Sequence, residues 1–201
     1  GDDEEAQDWL ERTLARSRQL AYAEVAGFAA LWEMRYRISR GDQGALAEWM
    51  AHRQPLDRLS ADTRAFEAQV VAHARLALGD AQGALDDLAR VREQAEASGW
   101  TRRRVGILVL EAQALEALGN RSHALSQLET ALELSRPGRF VRPFVEAGES
   151  LHPLLLELAA SDSPAERHAL IEAVLAALDL PLEPSPAAPE LIEPLTDREM
   201  D

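Results

Sequence analysis

Three polar side chains recur in an internal repeat, each six residues before a repeated glycine: Arg35, His73 and Gln113. A guanidinium, an imidazole and an amide can hold a polar ligand by charge and hydrogen bonds. Stacked helix pairs turn one face of each first helix toward a shared concave groove. We therefore predict that these side chains form a polar row that binds a peptide or a small polar molecule.

Two further rows share the predicted groove face. The residues ten before the glycines are Leu31, Gln69 and Val109, and those thirteen before are Phe28, Phe66 and Gly106. Spacings of three and four residues place side chains on one side of a helix, so these rows flank the polar one. The alternative interpretation is that Arg35 and His73 are ordinary helix-surface residues and that the two phenylalanines belong to the core.

Other kinds of chemistry have little support in the sequence. The five histidines are His52, His73, His123, His152 and His168, and none follows another at the three- or four-residue spacing typical of metal sites. The sequence contains no nucleophile elbow and no Gly-x-x-x-x-Gly-Lys-Ser/Thr loop for nucleotide phosphates. We predict a chain without enzymatic activity, without a metal site and without a cofactor.

The repeat itself is marked by glycines that end helices. Gly41, Gly79 and Gly119 are 38 and 40 residues apart, and each stands between two apolar helical segments. Glycine adopts the left-handed conformation of a helix C-terminus at little cost. The residues that follow the three glycines have side chains suited to N-caps of the next helix: Asp42, Asp80 and Asn120. Small alanines three or four residues further on allow close helix approach: Ala45, Ala84 and Ala124.

Amphipathic periodicity between these turns predicts an all-α fold, a tetratricopeptide-like superhelix of antiparallel helix pairs. One pair cannot bury its apolar face alone, so neighbouring pairs must stack. The predicted helices cover residues 3–19, a long segment ending near 40, 43–51, 61–78, 81–97, 101–118, 122–135, 141–147, 151–160 and 164–178. The period exceeds the 34 residues of the standard motif, so the array is divergent. Three tryptophans are expected to pack between helices: Trp32, Trp49 and Trp100.

Composition and charge narrow the classes of partner. The 201 residues contain no cysteine and carry a formal net charge of −14, which disfavours binding to nucleic acid by this chain. No apolar run approaches the ~20 residues of a membrane span, so no membrane partner is expected and we predict a cytoplasmic location. The cationic run Arg102-Arg103-Arg104 opens a predicted helix, where the helix dipole disfavours it. Either an acidic partner surface or a neighbouring helix C-terminus offsets this mismatch, or the run is a solvated turn.

The composition of the chain changes after its last predicted helix. Five prolines lie between positions 181 and 194, a density that prevents helix and favours a stiff linker. We predict a helical repeat domain over residues 1–179, a proline-rich linker over 180–195 and the start of a further helical domain over 196–201. On this interpretation the chain is a segment of a longer protein.

Several local motifs bear a family resemblance. Leu195-Thr196-Asp197-Arg198-Glu199 resembles the opening of the LuxR-type helix-turn-helix domain. The segment 131–145, Ala-Leu-Glu-Leu-Ser-Arg-Pro-Gly-Arg-Phe-Val-Arg-Pro-Phe-Val, is followed by the acidic turn Glu146-Ala147-Gly148-Glu149 and resembles the end of the sensor region of MalT-like regulators. The resemblance extends from about residue 41 to the end of the chain.

The resemblance implies the sensor region of an ATP-dependent LuxR-type transcription regulator, with the ATPase and DNA-binding activities in other parts of that protein. The expected partner is a small-molecule inducer or a regulatory protein, and self-association is a further alternative. The groove residues expected to bind this inducer or partner protein are Phe28, Leu31, Arg35, Phe66, Gln69, His73 and Gln113. The alternative function is a constitutive scaffold for protein–protein interaction without a small-molecule effector.

Overall fold

A computed structural model of the protein describes residues 8, 9, 11–13, 15, 16, 23–53, 60–161 and 164–179. Within them the helices run in the order α1 (Ala23–Ser39), α2 (Gln43–His52), α3 (Ala61–Ala77), α4 (Ala81–Ala97), α5 (Thr101–Ala117), α6 (Arg121–Ser135), α7 (Arg142–Ala147), α8 (His152–Ala160) and α9 (Ala165–Asp179). A single 3₁₀ turn, Glu149–Leu151, joins α7 to α8. The described part of the chain contains no β-strand, and the all-α prediction is confirmed.

The predicted boundaries of α2 to α9 agree with the observed ones to within one residue. The described residues between 8 and 16 are also helical, as predicted. Two other predictions lie outside the described residues: the linker over 180–195 and the segment 196–201.

Glycine turns and caps explain why the helix ends are so well defined. Gly41, Gly79 and Gly119 have φ angles of 68°, 84° and 75°, the left-handed conformation that was expected. The Oδ1 of Asp42 accepts a hydrogen bond from the Ala45 amide at 3.1 Å. Asp80 accepts the corresponding bond from Gly83 at 2.9 Å.

The third predicted cap is wrong. Asn120 makes no side-chain hydrogen bond to the backbone of α6. Its Oδ1 lies 2.7 Å from Nδ1 of His123, one turn along the same helix. A neighbouring side chain therefore takes the place that the backbone amide was expected to fill.

The helices pack as two rows. Each of α3, α4 and α5 packs on the next helix in the chain, and α1, α3, α5 and α7 also contact one another in succession. These four helices form the inner row of the array. The six-residue helix α7 therefore continues the repeat and ends at Gly148, whose φ is 81°.

The core follows the array as three clusters of buried side chains. The first joins α1, α2 and α3 around Leu31, Leu46 and Phe66. The second joins α3, α4 and α5 around Leu88 and Ile107. The third joins α5 to α9 and contains the following fully buried leucines: Leu128, Leu132, Leu151, Leu154 and Leu155. Each helix pair thus buries its apolar face against its neighbours, as expected of a repeat protein.

Candidate functional site

The inner row encloses a cavity of about 520 Å³ between α1, α3, α5 and α7. Five of the residues predicted for the groove line it: Phe28, Arg35, Phe66, Gln69 and His73. Helical periodicity brings them together, since they lie on the inner faces of α1 and α3. The cavity is large enough for a small organic ligand.

Three aromatic rings form the apolar wall of the cavity. The ring of Phe66 lies 5.3 Å from that of Phe28 and 5.4 Å from that of Trp32, centroid to centroid. Phe28 and Trp32 meet edge to face at 6.2 Å. Phe66 is buried, whereas Phe28 keeps 38% of its surface exposed. The wall can therefore offer ring surface to a ligand while Phe66 anchors it to the core.

Arg35 places a positive charge against this wall. Its guanidinium carbon lies 4.7 Å from the Trp32 ring centre and 5.4 Å from that of Phe66, within cation–π range. Its Nη2 forms an ion pair with the Glu146 carboxylate of α7. Burial lowers the pKa of Arg35 from its usual value, and Glu146 opposes that shift. The guanidinium is thus partly desolvated and held by an acidic partner.

Glu146 is shared between two arginines. Its second carboxylate oxygen accepts a bond of 2.6 Å from Nε of Arg142, one turn earlier on α7. Arg142 also lies 5.8 Å from the centre of the Trp32 ring. One carboxylate therefore stands between two guanidiniums, and the contact joins the first helix of the row to the last.

A second ion pair lines the cavity, between Asp62 of α3 and Arg103 of α5. Arg103 donates to the two Asp62 oxygens at 3.0 and 3.1 Å, and its guanidinium lies 4.8 Å from the Phe66 ring centre. The hydrogen bond from Arg103 lowers the pKa of Asp62. Asp62, in the first turn of α3, thus offsets one charge of the run 102–104; the sequence-based alternatives did not include a carboxylate of the chain itself.

His73 is a neutral base in the cavity wall. Burial lowers its pKa to about 4; the nearby Arg35 charge acts in the same direction and Glu146 opposes it. The imidazole therefore carries no charge at neutral pH and can serve a ligand as hydrogen-bond donor or acceptor.

The Gln69 side chain joins α3 to α5. Its Nε2 donates to the Arg103 carbonyl oxygen at 3.0 Å. A Cβ atom on Gly106 would lie 3.0 Å from Oε1 of Gln69, so a larger residue there would crowd the amide. The small residue allows α3 and α5 to approach at the base of the cavity.

Sequence comparison identifies the family of this array. A family model described as the MalT-like TPR region, where TPR denotes the tetratricopeptide repeat, matches residues 1–161. The chain belongs to this MalT-like TPR family. No curated protein matches the chain.

Two predicted groove residues do not line the cavity of this MalT-like array. Leu31 is 2% exposed and packs in the first core cluster, because α2 covers that side of α1. Gln113 donates from Nε2 to the Ala147 carbonyl oxygen at 2.7 Å, so it joins α5 to α7. Val109, from the same predicted row as Leu31, is fully buried in the third cluster.

The sequence-based prediction missed four charged residues of the cavity: Asp62, Arg102, Arg103 and Glu146. Glu146 had a usable signal, because Gly148 ends α7 as the repeat glycines end the other inner helices. Extending the repeat to that glycine would have placed α7 in the inner row. Trp32 and Trp49 pack on the first cluster as expected, and Trp100 lines the cavity.

Within the described residues of the MalT-like array, no group of three or more acidic, histidine or cysteine side chains could hold a metal ion. None of the described helices has the length and hydrophobicity that crossing a membrane requires. Helical repeat arrays of this kind typically present interaction surfaces.

Proposed function

We propose that this MalT-like array is the effector-binding region of a LuxR-type, ATP-dependent transcription regulator, acting in the cytoplasm. The observation that carries the proposal is the cavity of about 520 Å³ enclosed by four inner helices, with an aromatic wall and two ion pairs at its edge. An inert scaffold needs no partly desolvated arginine in such a cavity. The resemblance of residues 195–199 to the start of a LuxR-type domain supports the same assignment.

The proposed mechanism is a shift between conformations of the array. Because lining residues come from α1, α3, α5 and α7, a ligand that contacts all four favours one curvature of the inner row. The preferred curvature would then reach the attached domains through α8 and α9. In this proposal, ATP hydrolysis and DNA binding belong to other parts of the regulator.

The proposal is tested by thermal unfolding of the chain with a panel of small metabolites. A ligand that binds only the folded state increases the free energy of unfolding by roughly 2.7 kcal/mol when its concentration is a hundred times its dissociation constant. The unfolding temperature therefore rises. The variant Thr101→Trp puts a bulky ring at the cavity wall and is expected to remove the shift. Ser122→Trp, on an exposed position of α6, is the matched control and should keep it.

The scaffold alternative makes the opposite prediction. If no compound in a broad panel shifts the unfolding temperature while a protein partner binds equally to wild type and to Thr101→Trp, the effector proposal is wrong. A shift that survives in Thr101→Trp would place the binding site elsewhere.

A further inference from the structure

The cavity already contains a bound carboxylate, supplied by the protein itself. One Glu146 oxygen pairs with Arg35 and the other accepts from Arg142 at 2.6 Å. This arrangement shows that the two guanidiniums are spaced to hold one carboxylate between them. Because Arg35 and Glu146 are both only partly exposed, the interaction is less screened than a surface pair.

A flat apolar surface lies directly beside this carboxylate. Both arginines stand over the Trp32 ring, and the half-exposed Phe28 ring packs against it. A ligand whose acid group reaches the arginines would place its body against these rings. A flat hydrocarbon body fits them best, since ring stacking and burial then add to the ionic contact.

The charge of the cavity contrasts with that of the chain. Three arginines and two carboxylates line it, although the whole chain carries a net charge of −14. Displacing the Glu146 side chain would leave an excess of positive charge near Arg35. A single negative charge restores the balance, whereas a neutral polyol leaves two guanidiniums without an acidic partner. A dianion would also approach the nearby Asp62.

We propose that the cavity binds a small aromatic carboxylic acid, whose carboxylate replaces Glu146 between Arg35 and Arg142. This inference rests on the proposed effector-binding function and names its ligand class. Glu146 is then an internal competitor that occupies the two guanidiniums while the site is empty. When the ligand takes its place, Arg142 still joins α7 to α1 through the ligand, but the Glu146 end of α7 loses its contact with Arg35. Ligand binding therefore changes the end of the inner row that leads into α8 and α9.

The test is calorimetric titration of the chain with 2-naphthoate and with its neutral amide, 2-naphthamide. Glu146→Gln removes the competing charge and is expected to tighten naphthoate binding at least about fivefold, while leaving the amide unchanged. Arg35→Met is expected to weaken naphthoate binding about tenfold or more. Arg142→Met, at an exposed position, should also weaken naphthoate binding. This variant tests the role of the two arginines even if Arg35→Met does not fold.

Glu166→Gln is the matched control for loss of one negative charge. Glu166 forms an ion pair with Arg136, with 2.7 Å between the charged atoms, and it does not line the cavity. This variant should therefore bind naphthoate as the wild type does. Amide hydrogen exchange at residues 144–148 supplies a second measurement. It is expected to rise when naphthoate binds wild type, because Glu146 leaves Arg35.

Each contrary outcome identifies what fails. Equal binding of naphthoate and naphthamide would overturn the carboxylate inference but keep a ligand-binding cavity. Weaker naphthoate binding by Glu146→Gln would mean that Glu146 supports the site rather than competing for it. Absence of binding by both probes to wild type and to Glu146→Gln would reject this ligand class, while the metabolite panel with Thr101→Trp judges the proposed function independently.

Discussion

His73, in the cavity wall, makes the free energy of unfolding depend on pH. Its pKa is lowered to about 4 in the folded chain, against 6.5 for an ordinary histidine. Between these values the unfolded chain takes up a proton that the folded chain does not, so unfolding becomes easier as pH falls. We expect wild type to lose more unfolding free energy than His73→Gln between about pH 7 and about pH 5, by up to about 1.4 kcal/mol per pH unit.

Urea unfolding at the two pH values measures this difference. The effect fades as the pH rises above 6.5 and grows as the pH falls toward 4. His123→Gln, at an exposed position of α6, controls for replacing a histidine as such. If wild type and His73→Gln show the same pH dependence, His73 is not the neutral buried base described here.

The sequence was sufficient to align Arg35 and His73 on one face. Both are at a fixed distance from a helix-ending glycine, and helical periodicity carries that register along α1 and α3. It could not pair Arg35 with Glu146 or Arg103 with Asp62, because those contacts depend on how distant helices are placed. Leu31 shows the same limit, since its burial is decided by α2 and not by its own helix.

At the scale of the element, two equivalent turns differ in their capping. Asp42 caps α2 through the Ala45 amide, whereas Asn120 bonds to His123 and leaves the start of α6 uncapped by a side chain. We expect Asp42→Ala to lower the unfolding free energy by about 1 kcal/mol, and Asn120→Ala to lower it by less. Thermal unfolding of both variants measures the difference.

Asp42 also bonds to Arg37, and a further variant separates the two roles. Asp42→Asn keeps an oxygen that can accept from the amide but removes the charge, so most of the stability should remain. Equal losses in Asp42→Ala and Asn120→Ala would contradict the importance of the cap. The turn sequences made the helix ends predictable, but the choice of partner by Asn120 depends on competition between nearby groups.

For the whole molecule, the stabilising contacts of the third cluster lie within residues 105–178. The helix α9 contributes Leu170, Ile171 and Val174 to it. Because the sequence predicts a proline-rich linker over 180–195, we expect a chain ending at residue 179 to unfold within about 2 °C of the full chain, a difference of less than about 1 kcal/mol. A chain ending at residue 160 lacks α9 and should unfold at a much lower temperature.

The comparison by calorimetry also tests the predicted domain division. A marked loss of stability on removal of residues 180–201 would show that this segment packs on the array. No loss in the chain ending at 160 would contradict the structural role of α9.

The ion pair between α1 and α7 has a consequence for the order of folding. Most helices pack on neighbours in the chain, contacts that form quickly because little loop entropy is lost. Arg35 and Glu146 meet only after α1 to α7 have all taken their places. We therefore expect the cavity to assemble late, so that a partly folded chain has no site to offer a ligand. Variants at this contact should act on the rate of unfolding and leave the rate of folding nearly unchanged.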